Sequence, residues 1–307
     1  MQRILVTGSS GFIGKHLMEA LWSHHKSEDV EFHQVSRQYR RGFHTGDLSD
    51  ESHVANLMDM VRPHTVYHLA ANPIVRSDAD DPTKISRDNI LATHNLLAHA
   101  PRGCRFVFAS SATVYGNRSV LQILTPNESM PTLPSSVYGA TKAASESLVQ
   151  AYTTLGLVSG VSLRLVANVG PGATHGLLYD VIRKLRSESE YLELLGDCPG
   201  SIKPFLHVED AVRAFVWAST IPVCQTGCIN INISPGVILS VETVAKLAME
   251  VLGIHKPTKW LGESANWKGD NRRMEVSSRL SENLGFTYNY PTSTEAIRQA
   301  LLEMKDN

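Results

Sequence analysis

Short apolar runs alternate with amphipathic stretches along the first half of the chain. Ile4-Leu5-Val6 is a β-prone run closed by Thr7-Gly8, and Leu17, Ala20 and Leu21 follow at helical spacing between His16 and Trp22. Glu31 to Val35 reads as a second strand, followed by a polar turn with Arg37, Arg40, Arg41 and Gly42. Gly46-Asp47-Leu48-Ser49-Asp50 is a loop carrying a capping residue, and the pattern after it predicts a helix to about Met60. A third strand from Thr65 to Leu69 runs into Ala70-Ala71-Asn72-Pro73, and a long helix follows from about Thr83 to Ala100. The fourth strand, Arg105 to Ser110, contains Phe106-Val107-Phe108-Ala109, a continuous apolar run of the kind found in parallel strands buried on both faces. Regular alternation of strand and helix predicts right-handed βαβ units and a doubly wound parallel sheet.

The pattern changes beyond the middle of the chain. Val137 to Leu155 still reads as a helix, with Ala140, Ala144, Leu148, Ala151 and Leu155 on its apolar side, and Ser162 to Val166 as a strand. Asn168-Val169-Gly170-Pro171-Gly172 then breaks the periodicity. A helix from Leu177 to Arg186, several short strands and a helix from Ser240 to Leu252 follow without regular alternation. No internal repeat or low-complexity linker separates the two halves. The expected fold is α/β: a doubly wound parallel Rossmann sheet in residues 1–170, with a returning segment near 204–235. A smaller C-terminal α/β lobe would be built from residues 171–203 and 236–307, with a pocket between the two.

A length of 307 residues is roughly two domains' worth at about 150 each. Hydrophobic residues at 42% and charged residues at 19% describe an ordinary globular chain. With 29 Lys+Arg against 30 Asp+Glu, bulk charge gives no reason to expect nucleic acid as a partner. No apolar run approaches the ~18 residues of a membrane span, and the opening apolar run is too short for a signal-peptide core. Cys104, Cys198, Cys224 and Cys228 form no CxxC pair, and the Cys224/Cys228 spacing is wrong for a zinc knuckle. Reduced thiols in the cytoplasm are expected, and no metal site, since the thirteen histidines form no HExxH or Cys/His ligand ladder.

Three motifs carry candidate chemistry. Thr7-Gly8-Ser9-Ser10-Gly11-Phe12-Ile13-Gly14 lies between a strand and a helix, where glycines let the backbone approach a pyrophosphate and the helix N-terminus offers unpaired N–H groups. Its spacing is GxxGxxG rather than GxGxxG, and a tight turn without a ligand would use the same residues. Tyr138-Gly139-Ala140-Thr141-Lys142 puts a Tyr and a Lys on one helix face, where a cationic lysine lowers the phenol's pKa and makes it a usable base. A surface Tyr/Lys pair would read alike. Ser110-Ser111-Ala112-Thr113-Val114-Tyr115-Gly116 leaves the C-terminal end of the fourth strand, the end at which open α/β sheets bind ligands.

Taken in order and on these elements, the motifs resemble the extended short-chain dehydrogenase/reductase family, in its NAD(P)-dependent sugar-nucleotide epimerase/dehydratase branch, and most of all the short UDP-glucose 4-epimerase type. The resemblance extends over nearly the whole chain. It includes Gly46-Asp47-Leu48, Tyr67 to Arg76, Asp88-Asn89-Ile90 with Thr93 and Asn95, Arg164 with Asn168, His175 to Asp180, Leu194 to Asp197, Phe205 to Asp210, and Gly269-Asp270 with Arg272-Arg273. It implies that Gly8, Gly11, Phe12, Ile13 and Gly14 hold a cofactor pyrophosphate, that Asp47 and Leu48 border adenine, and that Leu69, Ala70 and Ala71 line the cofactor through their backbone. It further implies that Tyr138 is the base, that Lys142 holds the nicotinamide ribose, and that Ser111 holds the sugar's reacting oxygen. Asn168 would touch the nucleotide diphosphate of a nucleotide-sugar substrate, and Arg273 and Lys203 its phosphates. Lys203 stands where epimerases often carry an Arg, with weaker geometric constraint.

The 4,6-dehydratases of this branch carry Thr-Asp-Glu where this chain has Ser111-Ala112-Thr113, so water elimination lacks its proton carriers here. The expected reaction is 4-epimerisation of a UDP-glucose/galactose-like sugar nucleotide through a 4-keto intermediate. The same residues serve an NADPH-dependent 4-keto-6-deoxy sugar-nucleotide reductase, and some family members are only dinucleotide-binding sensors or scaffolds, typically without the Tyr or Lys. An NAD enzyme usually ends its second strand in Asp or Glu, whereas this chain has Ser36, then Arg37, with Arg40 and Arg41 nearby. A Ser-Arg pair would bind a 2′-phosphate, which favours NADP over NAD; read otherwise, the arginines are a solvated turn. His68, His94 and His207 are read as structural. The resemblance also implies a homodimer built from the helices containing Ile85–Ala100 and Tyr138–Leu155.

Overall fold

The computed structural model describes residues 1–25, 29–74, 81–117, 125–223, 228–262 and 271–305. Arg76, Cys224, Gly269 and Asp270, singled out above, lie outside the described residues. The chain runs β1 (Gln2–Thr7), α1 (Phe12–His24), β2 (Val30–Ser36), β3 (His44–Thr45), α2 (Glu51–Val61), β4 (Thr65–His68), α3 (Pro82–Ser86), a π-helical turn (Arg87–Leu91), α4 (Ala92–Ala98), β5 (Cys104–Ser111), a 3₁₀ turn (Ala112–Tyr115), α5 (Val137–Thr154) and β6 (Val158–Leu165). It continues through β7 (Ala167–Val169), α6 (Leu177–Leu185), β8 (Leu192–Leu194), β9 (Ile202–Lys203), β10 (Phe205–His207), α7 (Val208–Ala218), β11 (Ile229–Ile233), β12 (Leu239–Ser240), α8 (Val241–Leu252), β13 (Thr258–Trp260), α9 (Arg279–Asn283) and α10 (Ser293–Met304).

The central sheet has seven parallel strands in the order β11-β6-β5-β4-β1-β2-β3, with the topological reversal between β1 and β4. The expected alternation is therefore present, with two local differences. The polar turn after β2 contains β3, a two-residue edge strand too short for any period to show. The expected long helix is broken by the π turn at Arg87–Leu91, which carries Asp88 and Asn89.

Each face of the sheet is covered by an apolar cluster. Leu17, Met18 and Leu21 of α1 pack with Ala211, Ala214, Phe215 and Ala218 of α7 over one face. Val54, Leu57 and Met58 of α2, Leu96 and Leu97 of α4 and Val149 of α5 pack against Leu5, Val66 and Phe106 on the other. A third cluster joins Val181, Ile182 and Leu185 of α6 to Val244 and Ala248 of α8 and Ile297, Ala300 and Leu301 of α10. Caps set where the helices begin: Ser136 accepts the Gly139 N–H ahead of α5, and Thr292 and Glu295 form a capping box ahead of α10. Among the described residues no helix is long and apolar enough to cross a membrane. Nor is any group of three or more His, Cys, Asp or Glu side chains among them placed to hold a metal ion.

Candidate active site

A cavity of about 1180 Å³ opens at the carboxyl ends of the sheet strands. Its floor is the β1–α1 turn. Gly8 sits at φ +70°, and a Cβ there would lie 2.6 Å from the Ala70 nitrogen; a Cβ on Gly14 would lie 2.1 Å from the Gly8 carbonyl oxygen. The turn folds only with glycine at these positions. Gly11 is the N-cap of α1, no side chain caps it, and the first turn carries no acidic residue. The helix N-terminus therefore faces the cavity with its positive end uncompensated. The Ser9 hydroxyl is buried beside it without a partner among the described residues. These features fit the pyrophosphate of a dinucleotide. Gly8, Gly11, Phe12, Ile13 and Gly14 all line the cavity, as do Leu69, Ala70 and Ala71 from the exit of β4 and Ser36, Arg37, Asp47 and Leu48 from the β2 side.

Ser111, at the end of β5, and Tyr138 and Lys142, one turn apart on α5, meet on the opposite wall. Lys142 is 3% exposed; its Nζ donates to the Ala109 carbonyl at 2.8 Å and stands 5.6 Å from the centre of the Tyr138 ring. Burial pulls the ammonium down to about 7, against the opposing pull of Glu146. The expected acidification of Tyr138 is not found in the protein alone. Burial pushes its phenol up to about 12, a hydrogen bond with Ser111 opposes this, and Lys142 spends a proton on Ala109 instead. Ser111 Oγ accepts from both the N–H and the hydroxyl of Thr113, at 3.2 and 3.0 Å. With both lone pairs engaged, its own hydrogen is the one left to donate.

Buried polar groups behind this wall hold it in place. Arg164 Nε and Nη2 donate to the two oxygens of Glu146 at 2.8 and 2.7 Å, and Ser110 Oγ donates to Glu146 Oε1 at 2.5 Å. Arg164 Nη1 donates to the Tyr115 hydroxyl at 2.6 Å, which donates to Asn232 Oδ1 at 2.9 Å. Asn89 Oδ1 accepts the Asn72 N–H at 2.7 Å, and its Nδ2 donates to Thr141 Oγ1 at 2.9 Å, tying the exit of β4 to α5. Periodicity gives no sign of the Glu146 network; its only sequence trace is a charge on the buried side of a helix and another inside a strand. His68 is structural as expected: it lies between the Thr7 and Thr93 hydroxyls at 2.7 and 3.0 Å, and burial takes its pKa down to about 3. His207 caps α7 and meets Glu303 at 3.1 Å, and the exposed His94 packs edge-on to Tyr152.

At the outer end of the cavity Ser36 Oγ accepts the Gln38 N–H at 3.3 Å, and Arg37 lies 3.5 Å from the carboxylate of Asp88. Burial opposes ionisation of Asp47, but hydrogen bonds from the Ser49 N–H and hydroxyl and the charges of Arg87 and Arg37 outweigh it and hold the carboxyl below its ordinary value. Asn168 and Lys203 line the cavity from β7 and β9. Asn168 Nδ2 donates to the Val166 carbonyl at 3.0 Å, while its Oδ1 is buried without a partner among the described residues. Arg273 is not on the cavity wall. Its backbone is bridged to Ile202, and its guanidinium turns to Glu275 at 3.4 Å.

The family model described as the NAD dependent epimerase/dehydratase family matches residues 4–233, which end with β11. The chain belongs to that family. It is thereby a sugar-nucleotide epimerase or a related oxidoreductase. The UDP-glucose 4-epimerase of Halalkalibacterium halodurans is 27% identical over 330 aligned positions, which cover 97% of this chain and 94% of that one. The human dTDP-D-glucose 4,6-dehydratase is 26% identical, covering 100% and 91%. Among solved structures, a UDP-galactose 4-epimerase superposes with a TM-score of 0.81 at 31% identity. MoeE5 in complex with UDP-glucose and NAD superposes with a TM-score of 0.84 at 29% identity. Each covers 99% of both chains. The central sheet of this epimerase/dehydratase is thus the Rossmann sheet of its structural neighbours.

Proposed function

We propose that the protein is a sugar-nucleotide 4-epimerase acting on UDP-glucose/galactose-like substrates. The observation that carries this reading is the wall formed by Ser111, Tyr138 and Lys142, with Ala112 buried and Thr113 turned onto Ser111 where the elimination reaction needs two carboxylates. Gly8, Gly11, Phe12, Ile13 and Gly14 would hold the dinucleotide pyrophosphate, Asp47 and Leu48 its adenine, and Leu69, Ala70 and Ala71 its inner half. The chemistry the bound nicotinamide supplies is uptake and return of a hydride at sugar C4. Tyr138 Oη takes the proton of the 4-hydroxyl and later gives it back to the oxygen of the 4-keto sugar, once the sugar has turned its opposite face for the return of the hydride. Ser111 donates to the reacting oxygen throughout. Lys142 holds the nicotinamide ribose and brings positive charge to the phenol, which in the protein alone stays protonated. Segments 171–203 and 236–307 would hold the nucleotide sugar, with Asn168 and Lys203 at the diphosphate and Arg273 joining them on release from Glu275.

For the cofactor we infer a preference for NADP over NAD, on the strength of Ser36 at the end of β2 and of Arg37 and Arg40 on the cavity wall. That cationic edge also favours a second reading, an NADPH-dependent 4-keto-6-deoxy sugar-nucleotide reductase, in which a protonated Tyr138 is the donor needed from the start. A homodimer through α4 and α5 fits Leu91 and Leu155, exposed at their ends, and the free thiols Cys104, Cys198 and Cys228 fit a cytoplasmic enzyme. The test is incubation with UDP-glucose, UDP-galactose and their N-acetyl forms, first without added cofactor. The C4 epimer, resolved by chromatography, is the expected product. No epimer with NAD or NADP present, together with oxidation of NADPH by a 4-keto-6-deoxy sugar nucleotide, replaces the first reading with the second.

A further inference from the structure

The carboxylate that the end of β2 lacks is supplied beside it from another element. Asp88 lines the cavity from the π turn after α3, and its side chain is 8% exposed. Three cations surround it: Lys84 Nζ at 3.3 Å and Arg37 Nη1 at 3.5 Å from Oδ2, and Arg87 Nη2 at 3.8 Å from Oδ1. Oδ2 nevertheless receives no hydrogen bond of good geometry among the described residues. These are ion pairs without directional bonds, held by charge alone. Of the three cations, only Arg37 shares the cavity wall with Asp88.

We propose that Asp88 is a specificity-determining residue, whose carboxylate competes with the ribose 2′-phosphate of a dinucleotide for the guanidinium of Arg37. The proposal rests on the reading that Arg37 faces the adenosine ribose. A phosphate monoester offers Arg37 two parallel charge-assisted hydrogen bonds, which Asp88 at 3.5 Å does not. Arg37 can leave because Lys84 and Arg87 stay behind to compensate Asp88. A 2′-hydroxyl offers no such exchange, and with it Arg37 stays on Asp88. The acidic partner thus weakens the discrimination that Ser36 and Arg37 would otherwise make, without occupying the β2 position from which acidic residues usually exclude NADP.

The experiment is calorimetric titration of the full-length protein with 2′,5′-ADP and with 5′-AMP, reading the ratio of the two Kd values. Asp88→Asn is expected to shift the ratio toward 2′,5′-ADP by about three- to fivefold, the size of one exposed-to-buried ion pair. In an Arg37→Ala background the same substitution should change the ratio by less than about twofold, because the competition has lost its object. Asp88→Ser repeats the test should the asparagine variant not fold. A ratio unmoved by Asp88→Asn overturns the proposal, and so does an equal shift with and without Arg37, which would mark a general field effect. The cofactor preference is read separately from the unsubstituted protein. If that protein favours 5′-AMP yet Asp88→Asn still moves the ratio, the NADP preference fails and the role of Asp88 stands.

Discussion

Glu146→Gln tests whether the network behind the catalytic wall carries both stability and function. Glu146 and Arg164 are 4% and 3% exposed and joined by two parallel hydrogen bonds, so neither charge has water to fall back on. Removing one member of such a pair costs about 3–5 kcal/mol, most of it from the uncompensated charge left behind. Glutamine keeps the shape and one acceptor for Ser110 or Arg164, so a loss near 3 kcal/mol is expected, a large share of a stability margin of roughly 5–15 kcal/mol. Urea unfolding should show a lowered midpoint with an unchanged slope. A second readout follows from Lys142, whose ammonium Glu146 supports against burial. Without that support the lysine loses its proton at a pH below its present value of about 7, so the fall of kcat/KM on the alkaline side should move to lower pH. The double substitution Glu146→Leu with Arg164→Met, which leaves no orphaned charge, should lose less stability than Glu146→Gln alone. A loss under about 1 kcal/mol with the pH profile unmoved would refute the reasoning.

Three further outcomes are expected. Tyr138→Phe should lower turnover by about 10²–10⁴-fold, the usual worth of a positioned proton carrier, and leave dinucleotide binding by calorimetry unchanged; lost binding would count against the assigned role. Gly14→Ala drives a methyl to within 2.1 Å of the Gly8 carbonyl, so it should cost about 1–3 kcal/mol in thermal unfolding and weaken dinucleotide binding, and native-like affinity would contradict the turn geometry. His68 is neutral in the fold down to about pH 3 but protonates near 6.5 when unfolded, so stability falls as pH drops below 6.5, toward a ceiling of about 5 kcal/mol at ~1.4 kcal/mol per pH unit. His68→Gln should flatten the unfolding free energy between pH 4 and 6.5, and equal slopes in the two proteins would exclude this source of acid lability.

The sheet was legible because its strands are buried on both faces and its helices on one, so their periods differ. Phe106 to Ala109 could hardly be anything but a central strand, and the stretch from Val137 is the helix its spacing predicts, although the face it buries carries Gly139, Thr141, Lys142, Ser145, Glu146 and Val149 while Ala140, Ala151 and Leu155 of the expected apolar side are exposed. The glycine turn, Ser111, Tyr138 and Lys142 were legible because each sits at an element boundary or a fixed helical spacing. What escaped has no period. β3 is two residues long, and the π turn at Arg87–Leu91 adds one residue to an otherwise helical pattern. Glu146 and Arg164 are charges that sequence patterns place at the surface, and only their pairing across 18 residues explains their burial. The pKa of Tyr138 is set first by its burial and then by its hydrogen bond with Ser111 on another element, and neither has a trace in the spacing. Arg273 turns to Glu275, two residues along the chain, a contact that no spacing announces.

The order of the central sheet also dictates when that sheet can close. β11 closes the sheet beside β6, yet residues 166–228, including α6 and α7, lie between them in the chain. While the polypeptide emerges from the ribosome, β1 to β6 can pair in the order in which they appear, but the free edge of Val158–Leu165 must wait for Ile229–Ile233. Through that interval a buried, apolar strand presents an open row of backbone groups, which is the kind of surface other chains add to. Chains released early, at stop codons between 166 and 228, are therefore expected to aggregate rather than persist as functional dinucleotide-binding fragments. The exposure of that sheet edge would then fall on one stretch of synthesis, and it would end when a single five-residue strand docks.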